Sequence, residues 1–107
     1  MFLEVKDSLP ISGNGYDGQI IREIRAAVLD LTSSTEIRLP GVVDITRNEE
    51  TGVITDHSTI RDDLVIATIS TWCNMRIGNP PNYENLRKAY ESLKGQMRLS
   101  RNYGGQG

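Results

Sequence analysis

The strongest constraint on this chain lies in its last third. An uncharged run from Leu64 to Met75 leads through Arg76 and Ile77 into Gly78-Asn79-Pro80-Pro81-Asn82. A segment follows whose apolar residues, Tyr83, Leu86, Tyr90, Leu93 and Met97, recur every three or four positions. That spacing makes one stripe along a helix, with Glu84, Arg87, Lys88, Glu91 and Lys94 off it. In the run before it, Leu64, Val65, Ile66, Ala67, Ile69, Trp72 and Cys73 surround the whole axis, the pattern of a central helix. Trp72 is expected to be the core's largest filler. Gly and Pro cannot prolong a helix, so the order is a buried helix, a sharp stop and a docking helix.

Towards the N-terminus the signals are shorter. A first helix or turn from Leu3 to Leu9 stops at Pro10, and Ile11 to Gly15 reads as a loop. Asp17 is placed to cap a helix running to about Thr32, with Ile20, Ile21, Ile24, Ala27, Val28 and Leu31 in one broad stripe. Leu29 lies off that stripe; a stray Leu is unremarkable on a monomer, and it would also suit a helix touching a second subunit. The period then changes. Val43 and Ile45 on one side, and Val53 and Ile54 on the other, flank Arg47-Asn48-Glu49-Glu50-Thr51-Gly52, which predicts a β-hairpin over about 41–56 entered at Pro40-Gly41. A lone hairpin is marginal in water, so it must lean on the helices or pair with a neighbouring copy. Its tip, Glu49 and Glu50, is expected to be mobile in an isolated subunit. Asp56 or Ser58 is expected to cap the next helix, Ser58 to Ile77, with Asp62 and Asp63 in its first turn. The resulting fold class is mainly α: a small helical domain of three to four helices, with a short β-hairpin insertion between the second and third helices. It forms a single domain over 1–107, with a flexible C-terminal tail at about 100–107.

Only one Phe and one Trp can fill the core of this 107-residue chain, so Ile, Leu, Val and Met must carry helix packing, and association would help. The lone cysteine, Cys73, cannot form an internal disulfide and reads as a buried apolar residue in a reducing cytoplasm. Glu4 and Asp7 near the start do not fit an export signal, and the Leu64 to Met75 run is shorter than the roughly 20 apolar residues of a membrane span. A soluble protein with no membrane partner is expected.

Little in the sequence points to chemistry. His57 is the single histidine, and Asp56, Asp62 and Asp63 beside it are explained by helix capping rather than by a metal. Asp62 and Asp63 are adjacent, about 100° apart on a helix, and do not converge on one substrate atom. There is no phosphate-binding glycine loop followed by Lys and Ser or Thr. No catalytic, cofactor-binding or metal residue is assigned, and an enzyme is not expected.

Charge is unevenly spread. Residues 1–71 hold six Lys or Arg against twelve Asp or Glu, whereas 72–107 hold six against two. An acidic face of one copy could meet a basic face of the next, or both could be plain solvated surface. Candidate subunit or partner contacts are Leu29, Arg47, Glu49, Glu50, Arg98, Arg101 and Tyr103. Arg87, Lys88 and Lys94, with Arg76, Arg98 and Arg101, would instead make a DNA-facing set, giving salt-sensitive binding without sequence preference. A third class is a small monomeric regulator that binds a host protein through Tyr83 and Tyr90.

Two stretches carry a family likeness. The Tyr-x-x-Leu-x-x-x-Tyr-x-x-Leu pattern at Tyr83, Leu86, Tyr90 and Leu93, followed by a Ser-Arg-Asn-Tyr-Gly-Gly tail, resembles the small head-tail connector proteins of tailed bacteriophages. So does the opening, Glu4 to Ser12 followed by Tyr16 to Ile21 and a helix ending near Leu31. The likeness covers most of the chain and is weakest from roughly 36 to 57, where the hairpin is longer than the link in the shortest members. It implies a structural virion protein of a phage or prophage. Such an adaptor assembles as a homo-oligomeric ring on the portal, extends the DNA channel without sequence-specific binding, and docks tail or stopper proteins. It would be found at the capsid vertex and, during assembly, in the bacterial host cytoplasm. The helices Asp17 to Leu31 and Ser58 to Ile77 would form the subunit core, and the segment from Tyr83 onward would reach toward the portal. The family has no invariant catalytic motif.

Overall fold

The computed structural model describes residues 1–33, 37–78, 80–100 and 103. It is mainly helical, in the order α1 (Phe2–Asp7), α2 (Asp17–Thr32), β1 (Ile45–Arg47), β2 (Ile54–Asp56), α3 (Asp63–Arg76) and α4 (Tyr83–Leu99). The two strands form an antiparallel hairpin in which Ile45 faces Asp56 and Arg47 faces Ile54.

α3 is the hub, packed against α4, α2 and α1. This is the position its all-round apolar sequence requires. Val65, Ile69 and Cys73 are buried against Ile20, Ile24 and Leu31 of α2, together with Val5, Ile60, Tyr90 and Met97 in one cluster. The α2 stripe is buried as its spacing predicts, except that Val28 is half-buried.

Helix starts differ from expectation in instructive ways. Asp17 does not cap α2 from outside; it is the first helical residue, buried, and its carboxylate meets Lys6 Nζ at 2.8 Å. Its charge still lies in the turn where the helix dipole favours it. Neither Asp56 nor Ser58 caps α3. Asp62 does, its Oδ1 accepting from the Val65 amide at 3.1 Å. Residues 57–59 are drawn into the hairpin instead: the His57 and Thr59 amides donate to the Asp44 and Val42 carbonyls, and the Asp44 amide donates to Ser58 Oγ. Asp56 accepts from the Phe2 amide at 2.8 Å and pairs with the Met1 ammonium at 3.0 Å, tying α1 to β2. Gly41 fits this prolonged ladder because a Cβ there would stand 2.8 Å from Thr59 Oγ1.

α3 ends where Gly78 takes φ +81°, a left-handed conformation that side chains resist. Asn82 precedes α4 without a side-chain cap bond, and Asn79, the other residue expected to begin that helix, lies outside the described residues.

Two side chains depart from the expected core. Trp72 is half-buried, and Tyr90 is the largest fully buried side chain. The reason is polar: the Trp72 indole N–H donates to Glu23 Oε1 at 3.1 Å, which holds one ring edge at the surface. Tyr103 is not part of a loose tail. It is buried, donates through its hydroxyl to Asp62 Oδ2 at 2.5 Å, and its carbonyl accepts from the Arg38 amide at 2.5 Å.

Candidate interaction surfaces

α2, α3 and α4 are joined by two linked groups of polar and aromatic side chains. Asp30 on α2 accepts the Tyr90 hydroxyl at 2.5 Å and Lys94 Nζ at 3.0 Å, both on one Oδ2 and both from successive turns of α4. Burial opposes ionisation of Asp30, but these two donors outweigh it and hold the carboxyl below its ordinary 3.8. The Tyr90 hydroxyl is correspondingly pushed up, by burial first and by Asp30 second. The Tyr90 ring meets Trp72 edge to face, centroids 5.2 Å apart. The Arg76 guanidinium lies 4.6 Å over the Trp72 ring, and its Nε is 3.8 Å from Glu23.

Arg76 also lines an open cavity of about 310 Å³ with Met75, Pro80 and Tyr83, at the corner where α3 turns into α4. Another, of about 380 Å³, lies among α1, the Asn14 loop and β2, bordered by Glu4, Lys6, Asp17 and Asp56. Its charges are mutually paired, Lys6 with Asp17 and the Met1 ammonium with Glu4 and Asp56.

The hairpin tip is tied down. Asn48 Oδ1 accepts from the Glu50 and Thr51 amides, its carbonyl accepts from the Gly52 amide at 2.7 Å, and Gly52 sits at φ +76°. Glu49 and Glu50 are both exposed on this turn. Glu49 reaches Arg47 at 3.5 Å.

The residues singled out from sequence scatter over several surfaces. Leu29 is 70% exposed on α2, as a subunit contact requires, and Leu99 on α4 is more exposed still. Arg47, Glu49 and Glu50 share the hairpin, and Arg98 is exposed on α4. Tyr103 is corrected: its side chain is consumed by the subunit's own core. Arg101 and residues 104–107 lie outside the described residues. The DNA-facing set does not converge either. Arg87 binds Glu84 at 3.1 Å and Lys88 is exposed, but Lys94 is buried on Asp30. Tyr90, offered as a docking residue of a regulator, is likewise internal, while Tyr83 is 40% exposed. Sequence reasoning missed Asp30 and Glu23. Each lies beside the apolar stripe of α2, and no local pattern marks a carboxylate whose partners lie on another helix.

Among the described residues no group of three or more His, Cys, Asp or Glu could hold a metal, and no helix is long and apolar enough to cross a membrane. Cys73 is a buried thiol, pushed up to about 12 by burial and then by Glu23. No protein-family model, curated protein or solved structure matches the chain.

Proposed function

We propose that this chain is a structural head-tail connector: a subunit that assembles as a ring on a phage portal, extends the DNA channel and docks tail or stopper proteins. The observation that supports the reading is the Tyr-x-x-Leu-x-x-x-Tyr-x-x-Leu pattern of α4 together with the opening from Glu4 to Ile21. A subunit with that role needs surfaces rather than chemistry. This one offers an exposed Leu29, an exposed Leu99 and an acidic turn closed by hydrogen bonds to Asn48. Its partners would be further copies, the portal, a tail or stopper protein, and DNA passing without sequence-specific contact. Its place would be the virion, after assembly in the host cytoplasm.

The DNA-contacting accessory has less support, because Lys94 is engaged by Asp30 and Arg87 by Glu84. The deciding experiment is capture of the tagged chain by a phage portal protein from the same genome, should that genome encode one, with the mass of the complex read by light scattering. A stoichiometric complex of ring size is expected. A chain that stays monomeric across concentration and salt, and is not retained by that portal, refutes the reading.

A further inference from the structure

Two features of the surface carry opposite charge, and they are reached from different sides of α2. One is the corner cavity. Its guanidinium lies 4.6 Å over the Trp72 ring, with Nε 3.8 Å from Glu23. Among the described residues Glu23 is the only ion-pair partner of Arg76, at 3.8 Å, and Arg76 is exposed beside Tyr83 and Pro80. An exposed guanidinium placed over an aromatic ring, with its one carboxylate partner as far off as 3.8 Å, is suited to a further carboxylate. The other feature is the hairpin tip. Glu50 has no ion-pair partner among the described residues, and its backbone is fixed by Asn48, so little order remains to be imposed when it docks.

The tip cannot be read as a plug for its own corner. Glu23 holds the Arg76 corner, whereas Arg25 donates to the Ile45 carbonyl of β1 at 2.6 Å. Residues two apart on a helix point about 200° from one another, so the hairpin and the corner flank α2 on opposite faces. Each copy therefore carries an acidic hairpin tip and an Arg76 corner whose bases are attached to different flanks of α2.

We propose that the corner cavity of one copy receives the hairpin tip of a second copy, with Arg76 binding the Glu50 carboxylate while Tyr83, Pro80 and Met75 wall the turn. The contact is heterologous, tip to corner, so it repeats from copy to copy and closes only if the rotation allows. The proposal rests on the connector reading for the presence of neighbouring copies, and it names the two surfaces that meet.

Charge reversal across the contact tests it. The full chain is made as Glu50→Arg, as Arg76→Glu and as wild type, and association is followed by sedimentation velocity at low salt. Wild type is expected to associate, each variant alone to do so at least tenfold more weakly, and an equimolar mixture of the two to recover. Recovery arises because the Glu50 tip of one variant meets the Arg76 corner of the other. Because Arg76 also touches Trp72 and Glu23, folding of that variant is checked by circular dichroism. If it fails to fold, the exposed Glu50→Arg tip and a Glu50→Gln tip carry the test alone. Tip variants that associate like wild type overturn the tip-to-corner contact and leave the connector reading standing. So does a folded mixture that does not recover. A wild type still monomeric at about 1 mM also overturns the contact, while the connector reading is decided separately by portal capture.

Discussion

Replacing Tyr90 by Phe removes one oxygen from the α2–α4 junction and keeps the ring that packs on Trp72. That oxygen donates to Asp30 Oδ2 at 2.5 Å from a side chain that is 2% exposed. Hydrogen bonds to charged groups contribute about 1.5–3 kcal/mol. The Asp30 side chain is 35% exposed and retains Lys94 after the change, so solvent screening moves the expected loss to about 1–2 kcal/mol. For a chain this short that lowers the melting temperature by roughly 4–15 °C. Urea unfolding followed by Trp72 fluorescence measures it.

The pH dependence gives the sharper test. The Asp30 carboxyl is lowered in the folded state, so the stability it confers is present above the ordinary carboxylate range and is lost as pH falls through its folded value. Tyr90 is raised, so its contribution is present below pH 10 and is lost as pH climbs above the ordinary tyrosine value. The gap between wild type and Tyr90→Phe should therefore be flat from about pH 5 to 9 and narrow at both extremes. A gap below about 0.5 kcal/mol at neutral pH, or one that widens in acid, refutes the clasp as an ionic hydrogen bond.

Other outcomes follow from the backbone and the lone thiol. Gly41→Ala should destabilise by about 1–3 kcal/mol through overpacking against Thr59 and Ile60, and Gly52→Ala by about 1–2 kcal/mol through its positive φ. Gly95→Ala, which meets open space within α4, should stabilise by about 0.5–1 kcal/mol; thermal melts of the three separate steric from conformational cost. Cys73, buried with its thiol raised to about 12, should react with a thiol reagent at pH 8 at least about a thousandfold more slowly in the native protein than in urea. Comparable rates would mean that α3 opens readily.

Much of the fold was legible because its signals are local. The α2 and α4 stripes, the β-branched pairs flanking a polar turn, and the Gly-Asn-Pro-Pro stop are periodicities and punctuation within about twenty residues of chain. What was not legible depends on distant partners. Asp56 looks like a cap until Phe2 is seen to occupy it, and Ser58 looks like a cap until Asp44 does. Lys94 sits beside a stripe of α4 and reads as a surface cation, yet Asp30 draws it inward. Tyr103 follows a polar tail with no helical pattern, and nothing local announces its bonds to Asp62 and Arg38. The surfaces were less legible than the core for the same reason: charge in the sequence does not say which charges are already satisfied.

The Asp30 clasp also sets a schedule for folding. Asp30 must wait for partners 60 and 64 residues downstream, and chains are made from the N-terminus at about 5–20 residues per second. For several seconds of synthesis the Asp30 carboxylate therefore lacks both of these donors. A chain that ends before α4 can still pack α2 on α3, but it leaves the Asp30 carboxylate without these partners. Only a chain synthesised through α4 can close the clasp, so Asp30 gains both of its donors only when the last helix has been made.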